Sequence, residues 1–273
     1  MDDRKAPPEK KYIVPALAQG LSALALFSRD RPMITPPEIA QELLLSRATV
    51  FRMLNTLESL GYVVRDDRGR HYRLGPAVLG RGFAYLASFD VVEIAQPILQ
   101  KLRDETGMSS HMAIRDGAEV VYISRFAART TIASSVQVGT RFPAHATVLG
   151  RMLLCELSEG DLKALYSQSL LPQFSQQTPA SLAALHEFLA ADRARGYAIS
   201  QSFFENGVNA IAAPIRDKSN RIIAAINITA VGAHVTMEEM NGALKDAVVS
   251  AAAQISQWIA TDHTIAAPVA RRP

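Results

Sequence analysis

One cysteine, Cys155, stands in a chain of 273 residues, so neither an intrachain disulfide framework nor a multi-cysteine metal site is possible. It lies in the apolar helical stretch GRMLLCEL and reads as a buried structural thiol rather than a nucleophile. Long hydrophobic runs are missing too: no segment approaches a membrane span, although 48% of the residues are hydrophobic. The start, MDDRKAPPEKK, is charged and carries prolines, unlike a signal peptide, so a cytoplasmic protein with no membrane partner is expected. Also absent are a glycine-rich nucleotide loop after a strand, a G-x-S-x-G elbow and an H-E-x-x-H pair. Those absences argue against an enzyme, and neither a cofactor nor a metal is expected.

Charge of one sign is scarce overall, with a net +3, but it is unevenly placed. Residues 1 to 81 hold 13 Lys and Arg against 9 Asp and Glu, whereas the remainder holds 16 against 17. A basic N-terminal part fits nucleic acid, although solvated charge produces the same excess.

What is present begins with LSRATVFRMLNTLESLGYVVRDD. From Arg47 to Leu60 there is neither Pro nor Gly, Ser46 is a good N-cap and Gly61 a natural stop, which predicts a helix of about four turns. Val50, Met53, Leu54 and Leu57 form one apolar stripe for a core. Ala48, Phe51, Arg52 and Asn55 repeat the same spacing on another face, beside Arg47 and Thr49. Arg can pair with guanine, Asn with adenine, and small or apolar side chains can meet a thymine methyl. Taken alone, the second face is either a base-reading surface or a solvated one.

Context narrows this. Ala16 to Ser28 is a helical apolar segment, and Thr35 to Leu45 opens with Thr and Pro as a second helix does. Few residues separate it from Ser46, so the pair must turn sharply into a helix-turn-helix. Two short strands follow, Tyr62 to Arg65 and Arg70 to Leu74, around an Asp-Asp-Arg-Gly turn, which adds a wing. That hairpin carries Arg65, Arg68, Arg70, His71 and Arg73, suited to phosphates or the minor groove. His71 reads as a surface or phosphate neighbour, since no second ligand lies at metal spacing. Two helical stretches come next, separated near Ser88 to Asp90. The Leu79, Phe83, Leu86 series gives the first an apolar side that suits pairing with a second chain.

From Ser109 the pattern turns to strands: SSHMAI, EVVYISRF and TIASSVQVG. Helices are expected at Thr147 to Leu157, Glu159 to Tyr166 and Ala180 to Arg195. Strands return with YAISQSFF, NAIAAPIR and RIIAAINITAV, and a helix from Thr236 to Ile259 closes the pattern. Hairpins around a helical middle predict an α+β domain with a mostly antiparallel sheet.

The blocks SRATVFRMLNTLESLGYV, YRLGPAVLGRG, VGTRFPAHATVLGRMLL, ARGYAISQSFFENGVNAIAAPIRD and RIIAAINITA resemble the IclR family of bacterial transcriptional regulators over roughly Ala16 to Ile259. Two of them, GTRFPAHATVLGR and SRATVFRMLNTLESLGY, are most similar to the branch that responds to aromatic acids such as protocatechuate and 4-hydroxybenzoate. The resemblance implies a winged helix-turn-helix, a linker helix and a GAF-like effector domain. It also implies a homodimer, commonly a dimer of dimers, on double-stranded operator DNA, controlling aromatic catabolism genes. Expected boundaries are a flexible arm at 1–13, the DNA-binding domain at 14–75, a linker and dimerisation helix at 76–89, the effector domain at 90–262 and a flexible tail at 263–273. DNA contacts are expected from Ser46, Arg47, Ala48, Thr49, Phe51, Arg52 and Asn55, with Arg68 and Arg70 on the wing.

By matching motif positions, the resemblance puts a small carboxylate effector among Thr131, Ser134, Phe142, Thr147, Val148 and Leu149, facing Ser200, Ala210, Asn227 and Thr229. Backbone N–H groups at a helix start can hold a carboxylate. Small-oxoacid members tend to have Asp where Ser200 stands, Cys at Ala210 and Ser at Asn227 and Thr229. Loss of that negative charge and of side-chain bulk favours an aromatic carboxylate over a pyruvate-like oxoacid, which is the alternative. His111 and His145 are further candidates; His145 is either a donor to the ligand or a structural hydrogen-bonding residue.

Overall fold

A computed structural model of the chain describes residues 12–129, 136–166, 171–204, 207–231 and 235–261. The expected arm and tail fall almost wholly outside these residues. The chain divides into two units, one through residue 85 and one from residue 86.

In the first unit, helix α1 (Pro15–Ala25) starts on a proline, whose missing N–H costs nothing at that position. Helix α2 (Pro36–Glu42) opens on a capping box in which the Thr35 N–H donates to Glu38 Oε2 over 2.7 Å while Thr35 Oγ1 accepts from the Glu38 N–H. The sharp turn expected next is made without glycine: Leu44 takes φ 54° and is 91% exposed. Helix α3 (Arg47–Ser59) is capped by Ser46, whose Oγ accepts from the Thr49 N–H. Val50, Leu54 and Leu57 are buried with Ala23, Phe27, Ile34, Ile39, Val63 and Tyr72, as the apolar stripe requires. The wing strands β1 (Val63–Arg65) and β2 (Tyr72–Leu74) pair antiparallel, and Ile34 exchanges both backbone hydrogen bonds with Tyr72. Helix α4 (Pro76–Ala87) has no buried residue; Leu79 and Phe83, one turn apart, are 64% and 63% exposed.

In the second unit, helix α5 (Asp90–Thr106) leads into strands β3 (Ser109–Asp116) and β4 (Glu119–Phe126). Strand β5 (Arg141–Pro143) and a 3-10 turn (Ala144–Ala146) precede helices α6 (Val148–Leu154), α7 (Glu159–Leu165) and α8 (Leu182–Arg195). Strands β6 (Ala198–Gln201), β7 (Val208–Arg216) and β8 (Ile222–Val231) follow, then α9 (Met237–Glu239) and α10 (Lys245–Thr261). The sheet order is β5-β4-β3-β8-β7-β6, with every pairing antiparallel. Its Met112, Ile114, Ile226 and Ile228 face packs with α5 and α10. The opposite face, with Ala113, Tyr122, Ala210, Ala212 and Ala225, packs with α6, α7 and α8. The α+β expectation holds.

Two expectations need correction. The helix expected to run unbroken from Thr236 is interrupted at Gly242, whose φ −97° and ψ −122° leave the helical region. Glycine has no Cβ to disfavour that departure. Of the expected strand TIASSVQVG, residues 131–135 lie outside the described chain. The rest turns instead, with Gly139 at φ 89°, and strand structure resumes at Arg141.

Candidate functional site

In the first unit, Arg47, Ala48, Phe51 and Arg52 are exposed on α3, and Arg68 and Arg70 are exposed on the wing turn. Ser46 and Thr49 cap the helix, their hydroxyls 2.9 Å apart. Asn55 is half-buried because Arg65 Nη2 donates to its Oδ1 over 3.2 Å. Arg65 is itself drawn inward: it donates to Glu58 over 2.8 Å and lies 5.1 Å from the Tyr72 ring centre. It braces the wing against α3. His71 pairs with Asp66, whose carboxylate also accepts from the Arg70 and His71 N–H groups. Those bonds, the His71 backbone one first, hold the Asp66 carboxyl below its usual range. The wing turn is therefore fixed from inside, with Arg68 and Arg70 outside.

The second unit contains a cavity of about 270 Å³ on the α6 face of the sheet. Strand alternation brings Asn227 and Thr229 to its wall from β8, with Ala210 from β7, Ser200 from β6 and His111 from β3. Thr147 and Val148 come from the start of α6, and Phe142 from β5. Gly150 lets α6 approach this closely: a Cβ there would lie 2.0 Å from the Ala144 carbonyl oxygen. Thr147 Oγ1 accepts from the Gly150 N–H over 3.0 Å.

The structure thus gathers Phe142, Thr147, Val148, Ser200, Ala210, Asn227 and Thr229. It does not bring Leu149 to the wall; Leu149 is fully buried in the core beneath. His145 also stays off the wall. Its Nε2 lies 2.8 Å from the Pro172 carbonyl oxygen and so donates to it, and burial lowers its pKa. Thr131 and Ser134 lie outside the described residues.

Wall residues that motif matching passed over are Tyr122, Val136, Ala146, Phe203, Phe204, Val208 and Val231. The alternation of β4 and the paired aromatics after β6 were the available signals. Tyr122 meets His111 and Phe142 edge-on at 5.5 and 5.7 Å, and Phe142 lies 4.8 Å from Phe204. Burial pushes the Tyr122 phenol up and the His111 imidazole down, to about 4, so both are neutral at pH 7. Among the described residues, no Asp, Glu, Lys or Arg lines this cavity. Burial also raises the Cys155 thiol to about 12, consistent with an inert structural group. No group of three or more His, Cys, Asp or Glu among the described residues could hold a metal ion. No helix among them is long and apolar enough to cross a membrane.

Residues 16–67 match the IclR helix-turn-helix domain, and residues 83–257 match the C-terminal region of the bacterial transcriptional regulator IclR. The chain is 31% identical to the HTH-type transcriptional regulator XynR of Escherichia coli K12, covering 84% of this chain and 90% of that one. It is 33% identical to the Pca regulon regulatory protein of Pseudomonas putida, covering 82% and 77%. A transcriptional regulator of Rhodococcus sp. RHA1 superposes with TM-score 0.80 at 34% identity, covering 91% and 99%. An IclR homolog complexed with 4-hydroxybenzoate, from Microbacterium hydrocarbonoxydans, shares the fold with TM-score 0.79 at 22% identity, covering 90% and 100%.

Proposed function

The chain belongs to the IclR family of bacterial transcriptional regulators, and from that premise we propose that its C-terminal unit senses an aromatic carboxylate and thereby controls genes of aromatic catabolism. It is a ligand-responsive DNA-binding regulator, as its relatives are, and not an enzyme. The observation that carries the finer reading is the cavity's lining. Tyr122, Phe142, Phe203 and Phe204 offer ring faces and edges, while Ser200, Asn227, Thr229 and Thr147 offer uncharged hydrogen bonds. A planar ring suits such walls, and aromatic pairs add about 0.5–1.5 kcal/mol beyond area burial. The absence of a lining Asp or Glu among the described residues spares an anionic ligand repulsion. The name of the Pca regulon relative and the 4-hydroxybenzoate held by the Microbacterium homolog agree with this class.

In this reading residues 14–75 bind the operator, 76–89 link and dimerise, and 90–262 hold the effector. Arg47, Ala48, Phe51, Arg52 and Asn55 on α3 face the bases, while Arg68 and Arg70 on the wing meet phosphates. The exposed Leu79 and Phe83 of α4 pair with the same helix of a second chain, and dimers pair in turn. Effector binding reorders the segment from Gly139 to Thr147 and changes the spacing of the DNA-binding heads, which requires unequal affinity for the two arrangements.

The test is thermal melting of the full chain with benzoate, 4-hydroxybenzoate, protocatechuate, pyruvate and glyoxylate. A ligand specific for the folded state adds about 2.7 kcal/mol at a hundredfold excess over its Kd. Stabilisation by an aromatic acid, with a change in operator affinity at saturation, is expected. Stabilisation by the oxoacids alone would overturn the aromatic class.

A further inference from the structure

Arg65 on β1 is held in place by more than Asn55. Its Nη2 donates to Glu58 Oε2 over 2.8 Å, and its guanidinium lies 5.1 Å from the centre of the Tyr72 ring. Glu58 stands three residues after Asn55 on α3, so this ion pair sets a guanidinium beside the Asn55 amide. A guanidinium has five N–H donors and no acceptor, whereas an amide has one accepting end and one donating end. Asn55 can therefore meet Arg65 only with its oxygen, and Nη2 donates to Oδ1 over 3.2 Å. The NH₂ end is turned away from Arg65 and makes no hydrogen bond among the described residues. An unattached Asn would present both ends, which is the bidentate pairing with adenine N6 and N7 that its residue type suggests. Here the accepting half of that pairing is already occupied.

We propose that Arg65 sets which base Asn55 reads: held as a donor alone, Asn55 selects guanine over adenine in the operator's major groove. The proposal rests on the reading above that this face of α3 meets bases. Guanine presents N7 and O6 as neighbouring acceptors, so an NH₂ group finds a partner at either. Adenine offers N7 but sets its own N6 amino group, a donor, against the Asn55 NH₂. Two donors in contact leave both unpaired, and a desolvated donor without a partner is costly. The Arg65 bond thus turns a residue type suited to adenine into one suited to guanine. Arg65 acts as a positioning residue, since it changes the base that is read without touching that base.

The test is selection by the full-length protein from a pool of duplexes with a randomised core, at one salt concentration. Wild type, Asn55→Ala, Arg52→Ala, Arg65→Met and Asn55→Asp are compared. The position whose preference disappears in Asn55→Ala is the Asn55 contact. There the wild type should favour guanine over adenine by about fivefold or more. Arg65→Met keeps the aliphatic stem and removes the donors, so the amide regains both ends and adenine should overtake guanine. Asn55→Asp still accepts from Arg65 but donates nothing, so its preference should move to cytosine, whose N4 amino group is a donor. That variant decides the matter should Arg65→Met fail to fold. A wild-type preference for any base but guanine, or a guanine preference that persists in either variant, overturns the proposal and leaves α3 as the reading helix. So does an Asn55→Ala selection identical to wild type while Arg52→Ala loses a preference. Enrichment of no sequence by the wild type overturns the base-reading face itself, and the proposal with it.

Discussion

Arg65 Nη2 on β1 donates to the side-chain oxygen of Asn55 on α3 across 3.2 Å, so the wing holds one half of the amide that we propose reads DNA. A bidentate contact to adenine uses both the oxygen and the nitrogen of Asn. With its oxygen committed, Asn55 presents its NH₂ as donor. Arg52 is exposed on the same helix. Arg52→Ala should therefore cost about 1–3 kcal/mol of specific operator binding and relax base preference. Asn55→Ala should cost less, about 1 kcal/mol. The check is affinity for an operator fragment and for random DNA at one salt concentration. Equal losses on both DNAs for Arg52→Ala would make Arg52 a phosphate contact.

Arg68 and Arg70 stand outside a turn that Asp66 holds from within. In the proposed reading their charges meet DNA phosphates, a contact that does not depend on base identity. Each Ala substitution should lower the slope of log Kobs against log salt by about one, and weaken operator and random DNA alike. Binding measured from low to moderate salt reads this directly. A selective loss on the operator would mean that the wing reads sequence.

The first unit was legible because its signals are local. The Ser46 cap, the Val50, Leu54 and Leu57 stripe and the Thr35–Pro36 helix start act within a few residues of one another. The turn before α3 was inferred from crowding alone, since Leu44 occupies a left-handed position where glycine is usual. In the second unit, β3 and β8 were each visible, but nothing local sets His111 beside Asn227 across 116 residues of sequence. Motif matching found about half of the wall; Tyr122 on β4 and Phe203 after β6 come to it only when the chain folds. It also included Leu149, one residue past Val148, and a helix turns about 100° per residue, enough to carry that side chain into the core. Arg65 is the converse case: its charge suggested a phosphate contact, whereas Glu58 and Asn55 draw it inward.

Behind the cavity, Arg151 Nε lies 2.8 Å from Asp192 Oδ2, with side chains 1% and 0% exposed. Arg151 is flanked by Phe188 and Phe203, at 5.0 and 4.6 Å from their ring centres. Burial is the largest influence on both groups, lowering the guanidinium and raising the carboxyl, while their mutual attraction opposes it. The pair therefore holds a shape more than it adds stability. Arg151→Met or Asp192→Leu alone should destabilise the second unit by about 3–5 kcal/mol, and the double variant by considerably less. Urea unfolding followed through Trp258 on α10, the chain's single tryptophan, measures this. Additive losses in the double variant would contradict it.

His111 also makes the second unit sensitive to acid. Its folded value of about 4 lies below the ordinary 6.5, so between those values the unfolded chain binds a proton that the folded chain does not. Stability then rises with pH across that interval: it is fully present above 6.5 and is lost as pH falls toward 4. The loss from this one group is at most about 3 kcal/mol. Burial of His145 lowers its pKa as well and acts in the same direction. Carboxylates contribute near the lower end, so the informative quantity is the difference between wild type and His111→Phe. The wild-type urea midpoint should fall more steeply between pH 6.5 and 4. Parallel profiles for the two proteins would show that His111 takes up its proton equally in the folded and unfolded states.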